Sequence, residues 1–177
     1  MRTTIFDSEK ALACLLYVAG KLPEEQNLYK VLKAIYRANK THLEHYGREL
    51  FHQRYQALEW GAVPQLAYDI VTHVRDGKVQ NHMPKDVREK ISVSKTHTIK
   101  PLVDAPMRLL SASDVECLDE AIDFYKGKDF GWVASNAHED PAYNKTYEKK
   151  PNGDIPLEDI LRTLQNGELL VEHFKAA

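Results

Sequence analysis

The histidines are the side chains best suited to bind a metal ion or to transfer protons. The chain has eight, and His42 and His45 stand three residues apart, which places both imidazoles on one side of a helix. A metal site would also need carboxylate or thiolate ligands, and the sequence has no HExxH run and no CxxC pair. We therefore predict no metal centre and no bound cofactor.

Two clusters of side chains contain the residue types of a general acid or base. His138 precedes Glu139 and Asp140, so a carboxylate could orient its imidazole, and residues 119–123 hold three carboxylates. No nucleophile elbow or glycine-rich phosphate loop accompanies either group. We interpret His138 as a helix-end or packing residue and the carboxylates as the solvated side of a helix.

These candidate residues depend on one long predicted helix. Apolar residues recur at i, i+3, i+4 and i+7 from Leu28 to Tyr46, which predicts an amphipathic helix. Asn27 can accept a hydrogen bond from the first turn, and Gly47 can end the helix because glycine tolerates a positive φ.

Asn39 falls on the apolar face of this helix. A buried amide without hydrogen-bond partners costs about 1–3 kcal/mol. We expect Asn39 to tie the helix to a neighbouring backbone corner such as Gly61–Pro64. The alternative is a polar group at the bottom of a pocket that also contains His42.

The remaining pattern is mainly helical. The predicted helices begin at Asp7 or Ser8, span His52–Trp60, run from Pro64 towards Val74 and from Met83 to Lys90, start at a Ser113–Glu116 capping box, and cover Asp129–Ala137. Residues 91–103 alternate and are rich in β-branched side chains, which predicts a small β-hairpin or an extended arm. The polar segment 144–153 predicts a mobile loop, and residues 154–177 a helical tail.

Length and composition predict one domain. The 177 residues are 43% hydrophobic and 28% charged, which is ordinary for a globular protein with a sizeable core. We predict a mainly α fold, a single compact helical domain over residues 1–177, with its core in residues 8–143.

Net charge restricts the classes of partner, and the cysteines indicate the cellular compartment. Twenty-four basic and 26 acidic side chains give a net charge of −2, which disfavours nucleic acid as a partner. The mild basic excess over residues 30–54 fits a solvated helix flank. Cys14 and Cys117 lie in apolar patterns typical of reduced packing residues, and the charged stretch Met1–Lys10 precedes no long apolar run. We expect a cytoplasmic protein without a signal peptide or membrane span.

Two ordered blocks carry a resemblance to a known family. The first is the helix end His42–Arg48, followed by an aromatic segment that enters Gly61–Pro64. The second is the extended arm, then Leu109–Asp114 opening a helix, then Tyr125–Gly127, and a short helix that ends at His138. In this order and spacing the chain resembles the Panacea domain of SocA-like antitoxins and phage-associated GepA-type proteins.

The chain departs from the family pattern at two positions. The family usually has Gly-Pro-Val at the corner where this chain has Gly61-Ala62-Val63, although Pro64 follows, and it tends to have Asp where this chain has Asn39. The positions matched to its structural motif are Asn39, Tyr46, Gly47, Trp60, Gly61, Val63, Pro64 and His138.

The resemblance implies a helical, non-enzymatic protein that neutralises a toxin encoded nearby by direct contact. In the SocA branch it also implies an adaptor that hands the toxin to a cytoplasmic protease. Residue types that anchor interfaces suggest Arg37, Trp132, Tyr143 and Tyr147 as partner-binding residues. Two alternatives remain at this point: a small enzyme or ligand-binding protein with a pocket near Asn39 and His42, and a DNA-binding regulator.

Overall fold

A computed structural model describes residues 4–24 and 26–177 of the chain. The first three residues of the N-terminal stretch, and Glu25 in the connection that precedes Leu28, lie outside the described residues. The helices are α1 Ile5–Lys21, α2 Leu28–Tyr46, α3 Gln65–Asp76, α4 Val87–Lys90, α5 Ala112–Tyr125, α6 Phe130–Ala137, α7 Pro141–Lys149, α8 Leu157–Leu161 and α9 Gly167–Ala176. The strands are β1 Tyr55–Leu58, β2 Gly61–Pro64, β3 Ile91–Val93, β4 Ile99–Pro101 and β5 Asp154–Ile155. The prediction of a mainly α fold is confirmed.

Helix α2 lies at the centre of the fold and has the predicted bounds. The Asn27 side chain accepts hydrogen bonds from the backbone N–H groups of Tyr29 and Lys30, and Gly47 ends the helix at φ 65°. The helix packs against α1, α5, α6 and β2, and its C-terminal end packs against α8 and α9. Its two caps are therefore local, whereas its position depends on six neighbouring elements.

The helix predicted over His52–Trp60 is wrong, because this segment forms strand β1 and the turn that leads into β2. Tyr55 and Ala57 are buried while Gln56 and Leu58 are partly exposed, so burial follows the two-residue period of a strand. β1 pairs antiparallel with β2 on one edge and with β5 on the other. Strand β5 lies about 100 residues later in the chain, so the local sequence pattern could not reveal this pairing.

The loop predicted at 144–153 is also wrong over most of its length. Helix α7 covers it as far as Lys149, and the Asp140 side chain caps the helix by accepting hydrogen bonds from the N–H groups of Ala142 and Tyr143. Pro141 occupies the first turn, where its missing N–H costs nothing. The Asp-Pro start signal therefore outweighed the polar composition of the segment.

Three helix starts differ from the prediction. The helix predicted from Met83 begins only at Val87, because Asp86 has a left-handed φ of 52° that an α-helix does not contain. Helix α1 begins at Ile5, with Thr4 and Asp7 forming its capping box, and α5 begins at Ala112, with Ser111 and Asp114 forming its box. The sequence contains two overlapping capping boxes at the start of α5. The box that forms is that of Ser111 and Asp114, whose carboxylate is fully buried. The alternative box would have used Ser113.

The hairpin and the tail follow the prediction. Strands β3 and β4 pair antiparallel, with Ile91 opposite Pro101. Helices α8 and α9 dock on the end of α2, where Leu161 and Leu170 pack around Leu43. The cysteines are free and buried. Among the described helices none is both long enough and apolar enough to cross a membrane.

Candidate functional site

Asn39 is a structural tie rather than the bottom of a pocket. Its Nδ2 donates to the Tyr55 hydroxyl, and its Oδ1 accepts from the backbone N–H of Leu50 at 2.9 Å. The side chain has no solvent exposure. The amide therefore joins α2 to the chain at residues 50–55, and not to the Gly61–Pro64 corner that the sequence suggested.

Lys33 makes the contact to that corner instead. Its Nζ donates to the Ala62 carbonyl oxygen at 2.5 Å. Gly61 has φ 111°, and a Cβ there would lie 2.6 Å from Ala137 Cβ and 2.8 Å from Lys33 Nζ. Only glycine fits between α2 and α6 at this point, which gives the motif glycine a packing role.

The other two corner residues direct the chain into α3. Val63 is buried in the main core, and Pro64 stands immediately before the first residue of α3. Their motif positions are therefore accounted for by packing and by the start of a helix. The Gly61–Pro64 corner is a structural element.

His42 belongs to a buried polar cluster that joins three helices. Its Nδ1 lies 2.8 Å from the Arg48 carbonyl oxygen, which accepts the Nδ1–H, and its Nε2 lies 3.0 Å from Ser113 Oγ. The same Nε2 is 3.3 Å from Asp114 Oδ1, and Asp114 Oδ2 is 2.8 Å from Lys10 Nζ. The cluster thus links α1, α2 and α5 through one ion pair.

The titration of this cluster favours an ionised carboxylate beside a neutral imidazole. Burial raises the pKa of Asp114, but the hydrogen bonds from Lys10 and Ser111 outweigh it and leave that pKa below its ordinary value. Burial lowers the pKa of His42, and the hydrogen bond to the Arg48 carbonyl only partly opposes it. The ion pair of the cluster is therefore the one between Lys10 and Asp114.

The end of α2 is held to α5 at the surface. The Tyr46 hydroxyl donates to Glu116 Oε2 at 2.7 Å, while the ring remains 43% exposed. Gly47 then reverses the chain in the left-handed region. These two motif residues end α2 and fix its last turn to a neighbour.

His138, Tyr143 and Tyr147 form one ring stack. His138 and Tyr143 are nearly parallel with ring centroids 5.5 Å apart, and Tyr143 and Tyr147 stack at 5.3 Å. His138 Nε2 lies 3.0 Å from the Glu59 carbonyl oxygen, and the Tyr143 hydroxyl donates to the Leu58 carbonyl oxygen at 2.8 Å. Tyr143 is only 2% exposed, so the stack holds α6 and α7 against the β1–β2 turn.

The pocket suggested by the sequence does not form. Asn39, His42 and His138 each bond to a different neighbour and do not share a cavity. In residues 4–24 and 26–177 no cluster of three or more histidine, cysteine, aspartate or glutamate side chains could hold a metal ion. The geometry therefore gives no support to catalysis by these three residues.

The basic flank of α2 is used within the chain. Arg37 pairs with Glu120 at 2.9 Å and Lys40 with Asp140 at 3.2 Å, while Lys33 is buried. Beyond the helix, Arg54 pairs with Asp154 and Arg48 donates to Ser113. A continuous stripe of solvated cations, which a phosphate backbone would require, does not arise from these residues.

Two groups of partly exposed aromatic rings flank the first turn of α6, one around Phe130 and one around Trp132. We call the two groups together the aromatic surface, which consists of Tyr29, Trp60, Phe124, Phe130 and Trp132. Phe130 lies between Trp60 and Tyr29, with ring centroids 5.5 and 5.8 Å away, and Trp132 packs on Phe124 at 5.6 Å. Phe130 is 41% exposed, and Trp60 and Trp132 are each 38% exposed.

The first turn of α6 exposes two of these rings, Phe130 and Trp132. Asp129 accepts a hydrogen bond from the Trp132 N–H and so starts the helix. Val133 and Ala134 are buried against the core, whereas Phe130 and Trp132 are 41% and 38% exposed in the first turn. Phe130 lies at the exposed end of the face that carries Val133 and Ala134, and Trp132 lies on the opposite face. Arg37 approaches the same surface, with its guanidinium 3.6 Å from the Phe124 ring centroid.

Two of the four predicted partner-binding residues thus meet at the aromatic surface. Arg37 and Trp132 are joined through Phe124. Tyr143 and Tyr147 lie in the separate ring stack, and Tyr143 is not accessible to a partner. Sequence reasoning did not select Phe124 or Phe130 as partner-binding residues, although four aromatic residues within positions 124–132 were a signal for them.

The comparison with protein families identifies the motif-bearing region. The family described as Antitoxin SocA-like, Panacea domain matches residues 31–160, which span α2 to α8. This match covers well over half of the 177 residues. No curated protein and no solved structure matches the chain.

Proposed function

The chain belongs to the SocA-like antitoxin family of Panacea domains, and from that membership we propose that it neutralises a cognate protein toxin by direct binding. The family match is the observation that carries this proposal. The toxin is expected to be the product of a neighbouring gene. The mode of action is stoichiometric binding rather than catalysis.

The aromatic surface is the proposed contact. Tryptophan, tyrosine and arginine are enriched among the residues that dominate the binding energy of protein interfaces. Tryptophan and tyrosine bury large areas with only two rotatable side-chain bonds. Here Trp60, Phe130 and Trp132 are exposed on short, packed elements, so little conformational entropy is lost when a partner covers them. Arg37 adds a guanidinium at the edge of this surface.

Two outcomes of binding fit the proposal. The antitoxin either masks the active surface of the toxin, or presents the bound toxin to a cytoplasmic protease in the manner of an adaptor. Both begin with the same complex, so both require the aromatic surface. They differ in the fate of the toxin, which is stable in the first mode and degraded in the second.

Co-expression of this chain with the product of the adjacent gene tests the proposal. Growth rescue together with a complex that co-purifies supports masking. Rescue with loss of the toxin, reversed when the host protease is removed, supports the adaptor mode. The proposal is contradicted if the neighbouring product is toxic and the chain neither rescues growth nor binds it.

Structure gives less support to the alternatives. A DNA-binding regulator would need solvated cations in a row, and those of α2 and its neighbours are paired or buried. An enzyme pocket near Asn39 and His42 would need both side chains to reach solvent, and each is fully buried.

A further inference from the structure

A cavity of about 400 Å³ lies beside α2, between the Gly61–Pro64 corner, the α6–α7 connection and the turn after α8. Its lining includes Lys33, Tyr36, Arg37, Lys40, Asn136 and Asp140. It lies at the C-terminal end of α6, whereas Phe130 and Trp132 lie in the N-terminal turn of that helix. The ring stack and the buried polar cluster do not use it.

Lys33 is the buried basic group of this cavity. Its side chain is almost fully buried, and within the described part of the chain its Nζ makes one hydrogen bond, to the Ala62 carbonyl oxygen. No carboxylate of the described residues lies within 4 Å of that Nζ. The nearby Asp140 instead accepts from the Tyr36 hydroxyl at 2.8 Å and pairs with Lys40.

The charges around Lys33 do not hold it in the ammonium form. Arg37 and Lys40 border the cavity from α2, Tyr125 borders it from α5, and Glu139 and Asp140 border it from the α6–α7 connection; Glu44 also lines it. Burial lowers the pKa of Lys33 to about 7, and the negative charge of Asp140 opposes this only partly. At neutral pH much of this amine is therefore unprotonated, which is the nucleophilic form.

We propose that Lys33 is a site of N-acylation, with a small acyl phosphate as the donor. The unprotonated Nζ attacks the carbonyl carbon of the donor and forms a C–N bond. The bond between that carbon and the phosphate oxygen breaks, phosphate leaves with the electron pair, and the amine loses one proton to water. The products are an amide on Lys33 and inorganic phosphate.

The surroundings of Lys33 suit the product. An acylated lysine keeps one N–H, which can still donate to the Ala62 carbonyl oxygen. It also removes a buried ammonium that lacks a carboxylate partner, and such a group is costly in a protein interior. Arg37 borders the same cavity, and its buried Nε–H has no hydrogen-bond partner among the described residues, so it is a donor for the acyl oxygen.

The test is the pH dependence of acetylation of the full chain by acetyl phosphate, followed at each lysine by peptide mass spectrometry. An exposed lysine amine with the ordinary pKa near 10.4 gains about ten times more of its unprotonated form per pH unit below that value, so the rate at an exposed reference lysine should rise about 100-fold from pH 7 to 9. The rate at Lys33 should rise only about twofold, because half of this amine already reacts at pH 7.

Two results would overturn the proposal. One is the absence of acetyl-Lys33 at pH 7 to 9 while Lys126 and Lys128 are modified. The other is a rate at Lys33 that rises in parallel with those of the exposed lysines. Lys33→Arg, which cannot be acetylated under these conditions, confirms the assignment of the modified peptide. The wild-type pH profile decides the matter even if this variant does not fold.

Discussion

Helices α2 and α6 present their polar and aromatic side chains in opposite ways. On α2, Asn39 and His42 face inward, and every hydrogen bond that they make holds another segment of the chain. On α6, Phe130 and Trp132 face outward and contact mainly other partly exposed rings. The same domain therefore separates a buried polar region from an exposed aromatic one.

The difference explains why the recognisable motif marks the proposed contact only at Trp60. The corner must be glycine because Lys33 and Ala137 pack closely against it. Asn39 is required because it accepts the hydrogen bond of the buried Leu50 N–H. Such residues preserve the fold whatever partner is bound. The surface that selects a partner is free to use residues outside the motif, such as Phe130.

The largest effect should come from breaking the buried ion pair. Asp114→Asn leaves the Lys10 ammonium without a carboxylate in a site that excludes water, so we expect the free energy of unfolding to fall by about 3–5 kcal/mol. Urea denaturation measures this loss. Asp123→Asn is the control on the same helix, where the side chain is exposed and the change should be within about 0.5 kcal/mol.

A bulky side chain at the centre of the aromatic surface should abolish tight toxin binding without loss of stability. Gly131→Gln adds such a side chain between Phe130 and Trp132, and the nearest atom to the new Cβ would be Asp129 Oδ1 at 3.4 Å. We expect binding to weaken by at least about 2 kcal/mol, roughly 30-fold. Titration calorimetry on the purified complex measures the loss.

The matched control for this substitution is Gly20→Gln. Gly20 is also an exposed helical glycine, with open space around it, and it lies in α1. Both substitutions should improve helix propensity by a similar amount. Equal toxin affinity for the two variants would place the contact elsewhere.

Removal of the Asn39 amide should have an intermediate effect on stability. Asn39→Ala leaves the buried Leu50 N–H and the Tyr55 hydroxyl without this partner, which should cost about 1–3 kcal/mol. The same change at Asn136, which is partly exposed on α6, should cost less than about 0.5 kcal/mol. Thermal and urea denaturation of both variants check the contrast, and similar losses would show that Asn39 is not a structural tie.

The smallest effect, expressed per pH unit, is the pH dependence that Lys33 gives to stability. Its pKa is about 7 in the folded chain and near 10.4 when unfolded, so between these values the unfolded state binds the extra proton. Stability should therefore rise with pH over this window, by up to about 1.4 kcal/mol per unit. Lys33→Met should remove that rise between pH 7 and 9, whereas Lys128→Met should keep it; parallel curves for wild type and Lys33→Met would contradict the assignment.

The sequence predicted the elements whose signals are local. Asn27 and Gly47 bound α2 because one side-chain oxygen and one positive φ are sufficient, and the β3–β4 hairpin needs only neighbouring strands. Strand β1 was missed although its first partner, β2, is only two residues away, because a four-residue apolar pattern does not separate a strand from a helix. Its second partner, β5, lies near Ile155, far along the chain.

The candidate site was predictable only in part, for the same reason. Residue type alone selected Arg37 and Trp132, which meet at the aromatic surface, but also Tyr143, which is buried under His138 and Tyr147. Exposure of an aromatic residue depends on which face of its helix the core occupies. That information is tertiary and is not present in the local spacing.

Hydrogen–deuterium exchange of the chain alone and in complex with the toxin tests the central claim most directly. We expect the complex to gain protection over α6, residues 130–137, and over the turn at residues 59–61. We expect no gain over residues 39–50, which hold the buried polar region. Protection gained only outside α6 and this turn would contradict the assignment of the aromatic surface as the toxin-binding site.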